Sequence, residues 1–390
     1  MSALVTGMGL VTPVGTGVDQ FWRNLCAGVS GFREITLFPA AAMRNRMAGE
    51  IPGYPPGPVP RSVRMLTDAV REALAHAGLA GDRERLGRTA LVLGTNFGVS
   101  GAFSAYAAAR RGGPTAPETL GDLWFETMAR AAADACGLGG PVAVVSVACA
   151  SGIGVLDAGL MFLDDADTVV CAAADELTLY TYAGLNALRA ITKDAIRPFT
   201  RDRGGTQFAE GAAAVVLERP AVLKRRGGRA AARLEAVYMN NDAYHVTAPD
   251  QEGRGIIAVM RGALAAAAAA PESIVYLNAH GTGTVYNDAV ETLAIKAVFG
   301  AHTARLHINA VKSMTGHGMG AAGLIEFIAT VQAIRTGVIP PTMGGGEPDP
   351  ALDLDYTLGR AVTCPVPRAM TNSYGIGGAN ACAILAAAGD

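Results

Sequence analysis

Charge is scarce in this sequence: Asp, Glu, Lys and Arg make up 17% of 390 residues and balance to a formal net charge of -2. Binding to phosphate backbones needs a basic field, so nucleic acid is not an expected partner and any charged docking must be local. Cysteine is sparse and scattered. The six, Cys26, Cys136, Cys149, Cys171, Cys364 and Cys382, form no CxxC pair, which argues against a zinc site and for reduced thiols in the cytoplasm. Long apolar runs are missing as well. Asp, Arg or Gly breaks each later apolar stretch, and MSALVTGMGLVTPVG lacks the basic flank of a signal peptide, so neither a membrane span nor secretion is expected.

What is abundant is small and apolar. Hydrophobic residues reach 50% and there are 49 glycines, a composition for dense packing of backbones against one another. The length exceeds one ordinary compact domain, so two domains or one large duplicated fold is expected. β-rich runs such as ALVTGM, ALVLGT and VAVVSVA alternate with apolar helical stretches, which favours an α/β architecture. The run after VAVVSVA reads as a helix over 150–163, apolar on nearly every face except at Asp157, and so expected between layers. A similar unit recurs: LHINAVKS reads as a strand, and GMGAAGLIEFIATVQAI reads as a second buried helix that opens with Gly and Ala. Two such units suggest an internal duplication, dividing at 1–235 and 236–390 across the basic, glycine-containing LKRRGGRAAARLEA. GALAAAAAAP reads as an alanine-rich helix ending at Pro271.

Cys149 stands where a strand stops and a helix begins, near unpaired helix N–H groups, a setting that favours thiolate. Small neighbours and Gly152 leave room for a substrate, although a lone cysteine there is also what a buried core residue looks like. His280 in NAHGTGTVYND and His317 in KSMTGHGMG each follow a strand-like run in a glycine-rich loop. Two histidines in matching settings beside an activated thiol suggest a nucleophile with hydrogen-bond donors. Lys312 and Glu326 flank His317. Each is compatible with a solvated surface charge, but buried they would need each other or the site. Gly375, Gly377 and Gly378 near the end offer exposed amides for an oxyanion.

ACASG around Cys149, NAHGTGT around His280, KSMTGH around Lys312 and His317, and the terminal YGIGGAN stand in the order found in β-ketoacyl synthases of fatty-acid and polyketide assembly. The likeness runs from VTGMGLVTPVG through RPF and NDAYHVTAP to the last residues. The chain therefore resembles that family. The resemblance implies an α/β, thiolase-like fold, with duplicated halves in five αβαβα layers. It also implies decarboxylative condensation of malonyl-acyl carrier protein with a cysteine-bound acyl chain. In that reading Cys149 is acylated, His280 and His317 assist malonyl decarboxylation, Lys312 and Glu326 support them, and the amides of Cys149 and Ile376 form the oxyanion hole. Thr282 and Thr284 match positions that hold the phosphopantetheine arm of the carrier protein, and Phe199, Gly375, Ile376 and Gly377 border the substrate. No metal or redox cofactor is implied. The implied partners are an acyl carrier protein and either a second copy or a related ketosynthase-like subunit. Two histidines resemble the elongating branch more than synthases with a histidine–asparagine pair.

The chain departs from the family pattern at Thr200, Gly204, Thr206 and Gln207, after RPF, and at Ile376, where phenylalanine is common. Those changes make ordinary saturated elongation a less secure expectation. Carrier docking is expected at Arg61 and Arg64, ahead of the amphipathic DAVREALAHAG. Three rivals are a non-catalytic partner subunit, which typically lacks the cysteine, a degradative thiolase, which would need a second catalytic cysteine better placed than Cys382, and a dinucleotide oxidoreductase, whose GxGxxG spacing the opening segment lacks.

Overall fold

In the computed structural model, which describes residues 2–103, 106, 110 and 124–389, apolar runs from both halves become ten strands of one eleven-stranded sheet, the eleventh being a two-residue strand, Gly15–Thr16, paired antiparallel with the end of the first. The first half supplies β1 (Ala3–Thr12), β2 (Ala90–Gly94), β3 (Val142–Val145), β4 (Thr168–Asp175) and β5 (Gly211–Glu218). The second supplies β6 (Ala232–Asn241), β7 (Tyr276–Asn278), β8 (His307–Asn309), β9 (Arg368–Gly375) and β10 (Ala379–Ala386). The spatial order is β1-β5-β4-β2-β3 in one half and β6-β10-β9-β7-β8 in the other. Each half thus repeats the same order. The senses repeat too: β1–β5 and β5–β4 are antiparallel and β4–β2 and β2–β3 parallel, as are their counterparts in turn. That identity of path is the duplication. β1 and β6 join the halves by antiparallel pairing of Ala3–Val5 with Ala232–Leu234. The boundary expected at 235/236 lies inside β6.

Among the described residues, the longer helices that cover or separate the two halves are α1 (Arg61–His76), α2 (Phe125–Cys136), α3 (Ser151–Phe162), α4 (Arg254–Ala266), α5 (Val285–Phe299) and α6 (Ala322–Thr336). Helices α1 and α2 pack outside the first half, α4 and α5 outside the second, and α3 with α6 lies between. Five layers result. Burial follows the same logic: α1 hides one face, while α6 is buried at each residue from Ala322 to Ile334. Where α3 and α6 cross, glycine is required. A Cβ on Gly152 would lie 2.4 Å from Leu324 N, and one on Gly323 3.1 Å from Ile153 N. The expected alanine-rich helix ends before Pro271: Ala268 turns to φ 48° and Ala269 N–H donates to Leu264 O, which caps α4 early.

No helix among the described residues is long and apolar enough to cross a membrane.

Candidate active site

The duplication brings equivalent strand-to-helix turns together, one carrying Cys149 after β3 and the other carrying Lys312 and His317 after β8. Ala148 takes φ 52°, a left-handed backbone that costs energy for a residue with a Cβ and sharpens the turn. Ser151 holds it, accepting from Val147 N–H at 2.9 Å and donating to Ala148 O at 2.6 Å. Ser373 Oγ of β9 donates to Cys149 O at 2.8 Å. A Cβ on Gly375 would fall 3.2 Å from Cys149 N, so glycine there lets the end of β9 lie against the cysteine. The amides of Ile376 and of Cys149 itself favour the thiolate of Cys149.

Burial pushes the Cys149 thiol up to about 11, against the positive charge of Lys312 and those two amides. The helix-start setting therefore does not make a resting thiolate, contrary to the sequence expectation. Loss of water around the sulfur outweighs the favourable dipoles.

His280 follows β7 on a loop held by carboxylates that sequence reasoning passed over. Glu291 accepts from the amides of His280 at 2.8 Å and Gly281 at 2.9 Å, and Asp288 from those of Gly283 at 3.1 Å and Phe199 at 2.9 Å. Their signal was an acidic pair three residues apart on one helix face in NDAVE. Burial raises Asp288 to about 6 and Glu291 to about 7, with the amide donors opposing.

Lys312 is fully buried and meets three acceptors: Glu326 Oε1, His280 O at 2.8 Å and His280 Nδ1 at 3.2 Å. An ammonium has no acceptor to offer, so Nδ1 accepts and the proton of neutral His280 sits on Nε2. His317 shows the same arrangement, its Nδ1 accepting from Met319 N–H at 3.1 Å. The two rings stand nearly perpendicular, with centroids 5.5 Å apart. Burial, and then the Lys312 charge, hold both imidazoles well below the usual histidine range, so both are neutral Nε2–H donors at neutral pH.

Cys149, His280, His317, Thr282 and Thr284 line one cavity of about 510 Å³, joined there by Gly375, Ile376 and Gly377. Thr282 Oγ1 and Thr284 Oγ1 are 3.0 Å apart. Lys312 and Glu326 stand behind the wall as supports. Phe199 does not reach the cavity: it is fully buried and stacks on Tyr356 at 3.9 Å. Its backbone shapes the His280 loop through Asp288 instead. In the altered segment Gln207 turns inward, its Oε1 accepting from Ile196 N–H at 3.1 Å, while Thr206 lines the cavity. Arg61 and Arg64 are not free for docking. Arg61 is buried in an ion pair with Glu210, and Arg64 donates to Pro55 O and lies over the Tyr54 ring.

A buried thiol under two amides, faced by two neutral imidazole donors, marks a cysteine-dependent acyltransferase. The family model for the beta-ketoacyl synthase N-terminal domain matches residues 2–221, and that for the C-terminal domain matches residues 231–345. The ketoacyl synthase alpha subunit of the tetracenomycin polyketide synthase from Streptomyces glaucescens is 36% identical, covering 98% of this chain and 96% of that protein. The 3-oxoacyl-[acyl-carrier-protein] synthase 2 of Coxiella burnetii is 32% identical, covering 98% and 97%. Among solved structures, the ishigamide ketosynthase/chain length factor superposes with a TM-score of 0.93 at 33% identity, covering 100% of this chain and 99% of that one. A type II polyketide acyl-carrier protein in complex with its hexaketide-bound ketosynthase matches equally well, with a TM-score of 0.93 at 27% identity and coverage of 100% and 99%. The chain belongs to the β-ketoacyl synthase family, the thiolase-like acyltransferases that form carbon–carbon bonds by decarboxylative condensation.

Proposed function

We propose that Cys149 carries the acyl group and that His280 and His317 act on the malonyl thioester, in fatty-acid or polyketide assembly. The observation that carries this reading is the tautomer of the two rings: with both Nδ1 atoms engaged, each neutral imidazole presents Nε2–H as its remaining group. Acyl transfer forms the S–C bond at Cys149 and releases the carrier thiol with the proton. Malonyl then loses carbon dioxide, and the electron pair left behind moves onto the thioester oxygen, where the two Nε2–H donors meet it. The enolate carbon attacks the acyl-cysteine. Charge on that second oxygen falls to the amides of Cys149 and Ile376 before the cysteine sulfur leaves. One preorganised donor of this kind contributes about 2.7–4 kcal/mol. Lys312 fixes the His280 tautomer, and Glu326 balances its charge. Thr282 and Thr284 receive the phosphopantetheine arm, and Gly375, Gly377 and Ile376 frame the acyl entrance.

An acyl carrier protein is the proposed donor, supported by the solved carrier complex of a structural relative. Its docking surface is the cavity mouth, where Arg189 is exposed and lines the opening; Lys193, exposed four residues on, lines an adjoining cleft that shares Gly204 with the cavity, and neither cation forms an ion pair among the described residues. Strand β3 lies at one end of the sheet, apolar and half-buried with one edge unpaired among the described residues, which supports a dimer with a second copy or a ketosynthase-like subunit. Two halves of a single catalytic unit, meeting in the segment before β6, are the proposed domain division. The six cysteines, none in a disulfide, fit a cytoplasmic setting. A purely non-catalytic role fits less well, because Cys149 and both histidines share one cavity.

Incubation with acyl-carrier and malonyl-carrier thioesters, followed by mass spectrometry of the carrier, tests the function. A 3-oxoacyl carrier two carbons longer than the primer supports it. Carrier recovered without any elongation rejects it.

A further inference from the structure

Asn287 and Asn380 line the cavity with their side chains engaged, donating to Asp288 at 3.2 Å and to Asp242 at 2.7 Å. Asn96 lines it differently. It is half-buried, and its carboxamide has no hydrogen-bond partner among the described residues. Its backbone, by contrast, is fixed: Asp175 accepts from the amides of Asn96 at 2.9 Å, Phe97 at 2.8 Å and Gly320 at 2.7 Å, and from Thr95 Oγ1 at 2.9 Å. A rigid peptide thus carries an uncommitted amide on the cavity wall.

The surroundings put that amide at the acyl end. Phe97, the next residue, packs against a cluster that includes Leu185, Phe208 and Met319, and those three line the cavity as an apolar wall. Asp175, which holds Asn96, is close enough for its charge to act on the Cys149 thiol. Thr282 and Thr284, proposed to receive the arm, stand instead on the loop after β7 in the other half. A fully saturated chain lying along the apolar wall strips water from the Asn96 carboxamide and leaves it unpaired, whereas an oxygen on the chain pairs it. Condensation itself dictates where such an oxygen lies, because its product is a 3-oxoacyl group.

We propose that Asn96 is a specificity-determining residue whose carboxamide hydrogen-bonds an oxygen at the third carbon of the acyl chain on Cys149, so that a 3-oxoacyl or 3-hydroxyacyl group is preferred over a fully reduced one. The inference rests on the reading of Cys149 as the acylated residue. It narrows the acyl group to one that returns to the cysteine before the reduction and dehydration that would remove its oxygen. The side-chain NH2 donates to a ketone or a hydroxyl oxygen, and Oδ1 also accepts from a hydroxyl. A site that pairs such an oxygen discriminates against the chain that lacks it.

The test follows acylation of Cys149 by intact mass with the hexanoyl, 3-hydroxyhexanoyl and 3-oxohexanoyl thioesters of pantetheine. The wild type is expected to show a higher kcat/KM for the oxygenated chains than for hexanoyl. In Asn96→Leu, close to asparagine in size, the ratio of kcat/KM for oxygenated over plain chain is expected to fall about fivefold, the loss of one neutral hydrogen bond. Asn96→Ala repeats the fall if leucine disturbs the wall. An unchanged ratio in both variants overturns the proposal, as does a wild type that takes hexanoyl as readily as either oxygenated chain. So does an equal loss on all three thioesters, which would make Asn96 a structural part of the wall only. If no thioester acylates wild-type Cys149, the reading of the cavity falls and this proposal with it, an outcome distinct from acylation without discrimination.

Discussion

Lys312 Nζ touches His280 twice, 3.2 Å from Nδ1 and 2.8 Å from the carbonyl oxygen, with Glu326 beside it in a fully buried cluster. The contact fixes which nitrogen of His280 carries the proton and adds to the burial that keeps the ring neutral. Replacing Lys312 by Met leaves the burial and removes the contact that sets the tautomer. Carbon dioxide release from malonyl-carrier thioester is expected to fall by about 10²-fold or more, the scale of losing an oriented donor. Acylation of Cys149 should fall less. Equal losses in the two half-reactions, measured separately, would refute the division of labour between the cysteine and the histidines.

Cys149 supplies a pH test. Its thiol is pushed up to about 11, so the reactive thiolate is a small fraction at neutral pH and grows about tenfold per pH unit until that value. Alkylation of Cys149 by iodoacetamide should accelerate accordingly from pH 7 to 10. A plateau near neutrality contradicts this. Linkage gives a second sign. Between about 9 and 11 the native thiol keeps a proton that the unfolded chain releases, so its contribution is complete below 9 and is lost as pH rises. Stability of Cys149→Ala relative to wild type should therefore rise across that window.

Much of this site is legible in the sequence because its residues stand at punctuation marks. Cys149, His280 and His317 each follow a run of apolar residues and precede small ones, and the two buried helices betray themselves by lacking a polar face. Lys312 and Glu326, if buried, have only each other or the site as partners, and the structure pairs them. Other features depend on distances that no pattern encodes. Whether Phe199 borders substrate or stacks on Tyr356 turns on a left-handed φ of 61° at that residue. Arg61 looked like a surface cation because its partner, Glu210, lies far along the chain. The raised thiol escaped for a similar reason: the dipoles at a helix start can be read from sequence, but the water excluded by packing cannot.

The proposed carrier docking at the cavity mouth, and not on α1, is open to a charge test. Charge reversal of Arg189 and Lys193 together should raise KM for acyl-carrier protein several-fold at low salt while leaving kcat near its original value. Arg61→Glu, by contrast, breaks a buried pair and should act through stability, at a cost of about 3–5 kcal/mol. Steady-state kinetics and thermal melts on the two variants separate these effects. An unchanged KM for the double reversal would remove the mouth from consideration.

Ile376 is 43% exposed at the cavity entrance, between flexible-backbone glycines of which Gly377 has φ 94°. It is smaller than the phenylalanine common at this place in the family and stiffer at its first torsion. Ile376→Phe should slow acylation by a rigid polyunsaturated carrier-bound chain by about tenfold more than by a short saturated one. Parallel changes in the two initial rates would mean that the entrance width is set elsewhere.

The most direct test of a cysteine-borne acyl intermediate is intact-protein mass after incubation with a panel of acyl-carrier proteins. The account predicts one added acyl group on the wild-type chain, mapped to Cys149 by peptide analysis and absent from Cys149→Ala, whose fold is kept. A wild-type chain that gains no mass from any donor, or a Cys149→Ala protein that still gains it, would contradict the account.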